Sequence, residues 1–134
     1  MIEGGCNCGA VRYRIDGAPL VVAACHCVRC RRQSGSVYSV NLMVHPRAVT
    51  VEGPLQTFED ADTTSGAPVM REFCGRCGSP IRSVLGANSD MVAIKVGTLD
   101  DPDACAPAVH VFTRSKIDWV EIPAGVPQFS TNPG

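Results

Sequence analysis

Aromatic residues are scarce in this 134-residue chain: one Trp, two Tyr and four Phe, 5% in all. Large rings therefore cannot fill the interior, which must lean on the many Val, Ala, Leu and Ile side chains. Long apolar runs are missing too. The longest, APLVVAAC, falls far below the roughly 20 residues that a membrane-spanning helix needs, so no membrane partner is expected. No amphipathic period of helix length is present, which excludes a helical bundle; only residues 27–34 read as a helical turn. An excess of charge of either sign is also lacking. The formal net charge is −1, against the basic surface that nucleic-acid binding requires. Finally, MIEGGCNCGA carries no basic segment leading into an apolar stretch. The expectation is a chain without a secretory signal, and a cytoplasmic one.

What is present is turn chemistry and short β-forming runs. Thirteen Gly and ten Pro punctuate AVRYRI, VYSVNLMV, AVTVEG, LQTFED, VMREFC, MVAIKVGTL and VHVFTRSKIDWVEI. AVRYRI alternates cleanly, with Val11, Tyr13 and Ile15 on one face and Arg12 and Arg14 on the other. The reading is a single all-β domain over 1–134, its core about 4–122, with 123–134 as a loose C-terminal tail. His45, before Pro46 at an apparent strand end, needs no role.

Eight cysteines are the exception to an ordinary composition. They fall into GCNCG (Cys6, Cys8), CHCVRC (Cys25, Cys27, Cys30), CGRCG (Cys74, Cys77) and a solitary Cys105. In a reducing compartment such clusters hold metal more readily than they form disulfides. CGRCG has zinc-knuckle spacing, and Gly75 and Gly78 permit the turn that aims two sulfurs at one ion. One pair cannot close a tetrahedral site and two pairs can, so Cys6, Cys8, Cys74 and Cys77 would make a Cys₄ zinc site, the alternative being four free core cysteines. Its binding free energy would become folding free energy. Cys25, Cys27 and Cys30 remain as a trio, one thiol short. Three protein ligands leave the fourth position of zinc for water or substrate, the pattern of a catalytic ion. Two alternatives stay open: His26 or a distant residue supplies the fourth ligand, or the trio is an unmetallated redox cluster. His26 lies between two ligands, so its ring is expected to face away from their ion or to lie at the surface. With seven thiolates and two Zn²⁺ ions the net charge falls by seven and rises by four, from −1 to −4.

In order along the chain, GGCNCGAVRY, CHCVRCRRQSGS, EFCGRCGSPI, KVGTLDDP and HVFTRSKIDW resemble the glutathione-dependent formaldehyde-activating enzyme family, also called the centromere protein V/GFA domain family. The resemblance runs from Gly4 to about Trp119. It implies a β-tent fold with two zinc ions: a structural one on Cys6, Cys8, Cys74 and Cys77, and a labile, catalytic one on Cys25, Cys27 and Cys30. It also implies carbon–sulfur lyase chemistry, the condensation of a small thiol such as glutathione with a small aldehyde, formaldehyde. The assembly would be a monomer or homodimer. Cys105 matches no ligand position and reads as a small buried apolar side chain.

Three thiolates leave a divalent ion with one net negative charge, so nearby cations matter. Arg29, Arg31 and Arg32 could offset that charge or bind substrate carboxylates, and Gln33, Ser34 and the backbone at Gly35 could face a ligand. FEDADTTSGAPV reads as a hairpin or loop near the site. His110 reads as a satisfied edge histidine and Trp119 as a core residue. The competing function is a zinc-stabilised β-tent module, both ions structural, that binds a protein partner.

Overall fold

The computed structural model describes residues 1–63, 66–86 and 90–131. Among these residues ten short strands form two sheets, with one α-helix between the third and fourth strands. The strands are β1 (Ile2–Gly5), β2 (Arg12–Ile15), β3 (Val21–Cys25), β4 (Ser39–Val44), β5 (Val49–Glu52), β6 (Leu55–Asp60), β7 (Val69–Cys74), β8 (Pro80–Val84), β9 (Val92–Lys95) and β10 (Val109–Val111); the helix, α1, is Val28–Ser34. The protein is mostly β, as its turn-punctuated sequence requires. A three-stranded sheet runs β1-β2-β5 and a seven-stranded one β10-β3-β4-β9-β8-β7-β6. Pairing is antiparallel except that β10 lies parallel to β3. Among the described residues no helix is long and apolar enough to cross a membrane.

The alternation read in AVRYRI decides how the sheets meet. Val11, Tyr13 and Ile15 are buried and pack on Leu42, Val44, Val92 and Ile94 of the large sheet. Each fully buried side chain of this kind contributes about 1.5–3 kcal/mol, so this seam is the main apolar source of stability. The other face of the large sheet is polar. Residues directly opposite across antiparallel strands share a face, as do residues two apart. Cys25 opposes Ser39; Asn41 opposes Lys95; Ser83 opposes Ala93 and Arg71; Arg71 opposes Phe58. One face thus carries a stripe of Cys25, Ser39, Asn41, Lys95, Ser83, Arg71 and Asp60.

Three expectations need correction. Only Val109–Val111 of VHVFTRSKIDWVEI is a strand: Phe112 turns left-handed at φ 55° and a 3₁₀ turn, Thr113–Ser115, follows. Trp119 is 70% exposed and is no core residue. The tail is also docked up to Thr131: the His110 N–H donates to the Pro127 carbonyl at 3.0 Å, and the Phe129 N–H to His110 at 2.9 Å. Within FEDADTTSGAPV, residues 64 and 65 lie outside the described residues, as do 132–134 of the tail.

Candidate metal centres

The first cluster joins two turns that are distant in sequence. Cys6 and Cys8 follow β1; Cys74 ends β7 and Cys77 sits in the turn before β8. Their four sulfurs lie within 4.8 Å of one another, with Cys6 to Cys8 at 3.5 Å and Cys8 to Cys74 at 3.9 Å. A tetrahedron with sulfur at about 2.3 Å from zinc puts its corners roughly 3.8 Å apart, so the cage matches that ion. Backbone N–H groups point at the sulfurs: Val11 to Cys6 at 3.2 Å, and Arg76 and Cys77 to Cys74 at 3.3 and 3.4 Å. Such donors favour thiolates. Gly78, at φ 82°, makes the turn a side chain would strain. The Ser79 hydroxyl and N–H bring the Cys77 pKa down to about 5.

The second cluster joins a strand end to a helix start. Cys25 ends β3, Cys27 caps α1 and Cys30 lies in its first turn. Their sulfurs also fall within 4.8 Å of one another, and among the described residues no His, Asp, Glu or further Cys adds a fourth donor. The Cys27 sulfur takes the place of the usual Ser or Asp cap, accepting the Cys30 N–H at 3.2 Å. Helix capping thereby fixes two ligands relative to each other. Without a metal the sulfurs share protons unequally. Hydrogen bonds from Cys25 and Cys27, helped by Lys95 and Arg71, drop the Cys30 pKa to about 2, while contact with Cys27, then with Cys30, and burial push Cys25 up. Three soft sulfurs with one thiolate already favoured fit a thiophilic divalent ion such as zinc.

Sequence reasoning missed the cations closest to this trio. Arg71, 5% exposed, reaches Cys30 with Nη1 at 3.9 Å and the Ser83 hydroxyl at 3.2 Å. Its Nε and Nη2 donate to Asp60 Oδ2 at 3.3 and 3.2 Å. Lys95, 6% exposed, donates to Ser39 Oγ at 3.0 Å and Asn41 Oδ1 at 3.2 Å. Burial lowers its pKa, against the pull of the negative field of Cys30. Both were readable as charges at buried positions of short strands, Arg71 in VMREFC and Lys95 in the otherwise apolar VAIK.

Of the residues singled out around the trio, Arg29, Arg32 and Gln33 line an open cavity of about 430 Å³ together with Val28, Phe58, Asp60 and Arg71. Arg29 is tied to Asp60, at 3.4 Å, and to Asp62. Gln33 Oε1 is buried without a partner. Arg31 and Ser34 do not line the cavity; the Ser34 hydroxyl donates to the Arg31 carbonyl at 3.0 Å. Gly35 is not among the residues lining the cavity. It ends α1 at φ 66°, its N–H donating to the Arg31 and Arg32 carbonyls.

His26 is 1% exposed, not a surface residue. Its Nε2 shares a 2.8 Å hydrogen bond with His110 Nδ1, and Tyr38 packs on both rings. Burial takes its pKa down to about 4 and lowers that of His110. Cys105 is partly buried against the core, close to the role its isolation suggested.

A family model described as glutathione-dependent formaldehyde-activating enzyme matches residues 1–115. The chain belongs to that family. A curated Halomonas elongata protein, provisionally named as a glutathione-dependent formaldehyde-activating enzyme, is 32% identical over 127 residues, covering 91% of this chain and 81% of its own. A crystal structure of a Rhodobacter sphaeroides protein superposes with a TM-score of 0.56 at 18% identity, over 95% of this chain and 98% of that one. That likeness concerns the fold. In this member of the formaldehyde-activating family, the two cysteine clusters are, among the described residues, the groups able to hold metal ions.

Proposed function

We propose that the chain is a zinc-dependent carbon–sulfur lyase-type enzyme, a single cytoplasmic unit over 1–134 that joins a small thiol such as glutathione to a small aldehyde such as formaldehyde. The observation that carries this reading is the trio: three sulfurs within 4.8 Å, no fourth donor from the described chain, and Cys30 lying 3.9 Å from Arg71 Nη1, whose side chain also lines the open cavity. Cys6, Cys8, Cys74 and Cys77 would hold a structural zinc, and Cys25, Cys27 and Cys30 a catalytic, labile one. Bound zinc would supply an open coordination position at which an entering thiol loses its proton and becomes the nucleophile.

The chain's own residues bind and orient. Val28 and Phe58 give the cavity apolar walls, Arg32 stands at its lining to meet a substrate carboxylate, and Gln33 brings an unpartnered Oε1 for an amide N–H. Arg71, at the cavity lining, holds Cys30 while Asp60 holds the guanidinium. Proximity is the main contribution: the thiol S–H adds across the aldehyde C=O, a sulfur–carbon bond forms and the proton goes to the oxygen. The family match and the name of the Halomonas relative support the substrate pair.

The test is to add glutathione and formaldehyde to zinc-loaded protein and follow the hydroxymethyl thioether by NMR. Adduct formation should exceed the uncatalysed rate, and that excess should vanish in Cys30→Ala. A wild type no faster than buffer, with no thiol bound at the second ion, would leave a zinc-stabilised scaffold.

A further inference from the structure

Lys95 is a buried cation with no carboxylate partner among the described residues. Its ammonium is held only by the Ser39 hydroxyl and the Asn41 carbonyl oxygen. Taking an ammonium out of water without an opposite charge is strongly unfavourable, so an anion should stand near it. The other buried cation on this face, Arg71, already has Asp60, and Asp60 and Asp62 also neutralise Arg29. That arithmetic leaves one positive charge over, and it is Lys95. Register places it two strands from the trio. Cys25 opposes Ser39, Asn41 is two residues along β4, and Lys95 opposes Asn41, all on one face. Three thiolates on a divalent ion would carry the single negative charge that balances it.

We propose that Lys95 is the built-in counter-ion of the second metal centre, setting how firmly the trio holds a divalent ion and whether that ion accepts an anionic fourth ligand. The inference rests on the trio being a metal site, and refines which ligands that site takes. It makes Lys95 a positioning residue that acts through charge, not a group that touches substrate. A neutral replacement leaves its former partners satisfied, because the Ser39 hydroxyl donates to Asn41 Oδ1 at 3.0 Å without it.

The experiment uses Co²⁺-loaded full-length protein, whose visible bands report the trio. The probes for the fourth position are 2-mercaptoethanol, which binds as an anion, and imidazole, which binds neutral. Lys95→Met, with Lys95→Gln as a second neutral variant, should fill the four-cysteine site as the wild type does. Second-site Co²⁺ affinity should fall about tenfold or more, and thiol affinity likewise, while imidazole affinity stays within about twofold. Lys95→Arg should restore thiol binding. Equal loss of thiol and imidazole, unchanged Co²⁺ and thiol affinity, or neutral variants that fail to fold would each overturn the proposal. A wild type that loads Co²⁺ at the trio yet ignores the thiol would instead sink the proposed function. The drop in Co²⁺ affinity would still support Lys95 as counter-ion.

Discussion

The two cysteine clusters use one chemistry in two settings. Cys6, Cys8, Cys74 and Cys77 sit on turns, complete as a set of four and surrounded by backbone N–H groups and Ser79. The cluster ties the N-terminal segment to the β7–β8 turn. Cys25, Cys27 and Cys30 sit at a strand–helix junction over the polar face of the large sheet, one ligand short, backed by Arg71 and Lys95. Backbone donors satisfy a closed cage and ask nothing of a visitor. Buried side-chain cations make sense only beside an anion, and they leave room for another. One site therefore reads as a clasp, the other as a receptor.

Mutating the clasp should have the largest effect. Structural zinc brings roughly 10–16 kcal/mol to the folding of small zinc domains, more than most domains hold in total stability. Cys74→Ala should thus lose the folded state, visible as collapse of near-UV dichroism and loss of bound zinc. A folded Cys74→Ala chain would erase the distinction between the clusters. Next is the support of the receptor. Asp60→Asn leaves the Arg71 guanidinium buried beside a neutral amide, and should cost about 3–5 kcal/mol in a urea titration while the four-cysteine site keeps its metal. Cys30→Ala should be milder, about 0.5–3 kcal/mol, with one zinc lost of two and thiol binding gone.

Much of this was legible in the sequence, and the failures have physical reasons. Cysteine spacing yielded the division into four and three, because metal ligands must converge and short motifs report convergence directly. The alternation of Val11, Tyr13 and Ile15 yielded a core face. VVAAC was read only as an apolar run, since without alternation a strand looks like any buried segment. IEGG was passed over because glycine is rare in strands; here a Cβ on Gly4 would meet the Tyr13 hydroxyl at 2.3 Å, so the strand needs glycine. Trp119 was misplaced because a large apolar ring is usually inside, a rule with no force for a single residue. The arginines beside Cys30 in sequence drew attention from Arg71 and Lys95, which strand pairing places on the same sheet face as Cys25.

A smaller effect separates the receptor from its histidine neighbours. His26, its pKa lowered to about 4, and His110 are held neutral in the fold, against about 6.5 when unfolded. Between those values the unfolded chain binds more protons, so their contribution is present above pH 6.5 and is lost as pH falls towards 4. In zinc-loaded protein the urea midpoint should drop from pH 7 to 5.5, and drop less in His110→Gln. Equal drops would assign the whole pH response to the metal sites.

The most direct measurement is ¹¹³Cd NMR of protein carrying cadmium in both clusters, since each ion gives its own resonance. The account predicts two signals, one typical of four sulfurs and one of three sulfurs with a lighter donor; a small thiol should move only the second, towards the first. Two four-sulfur signals from the start, or a second signal that no thiol shifts, would contradict it.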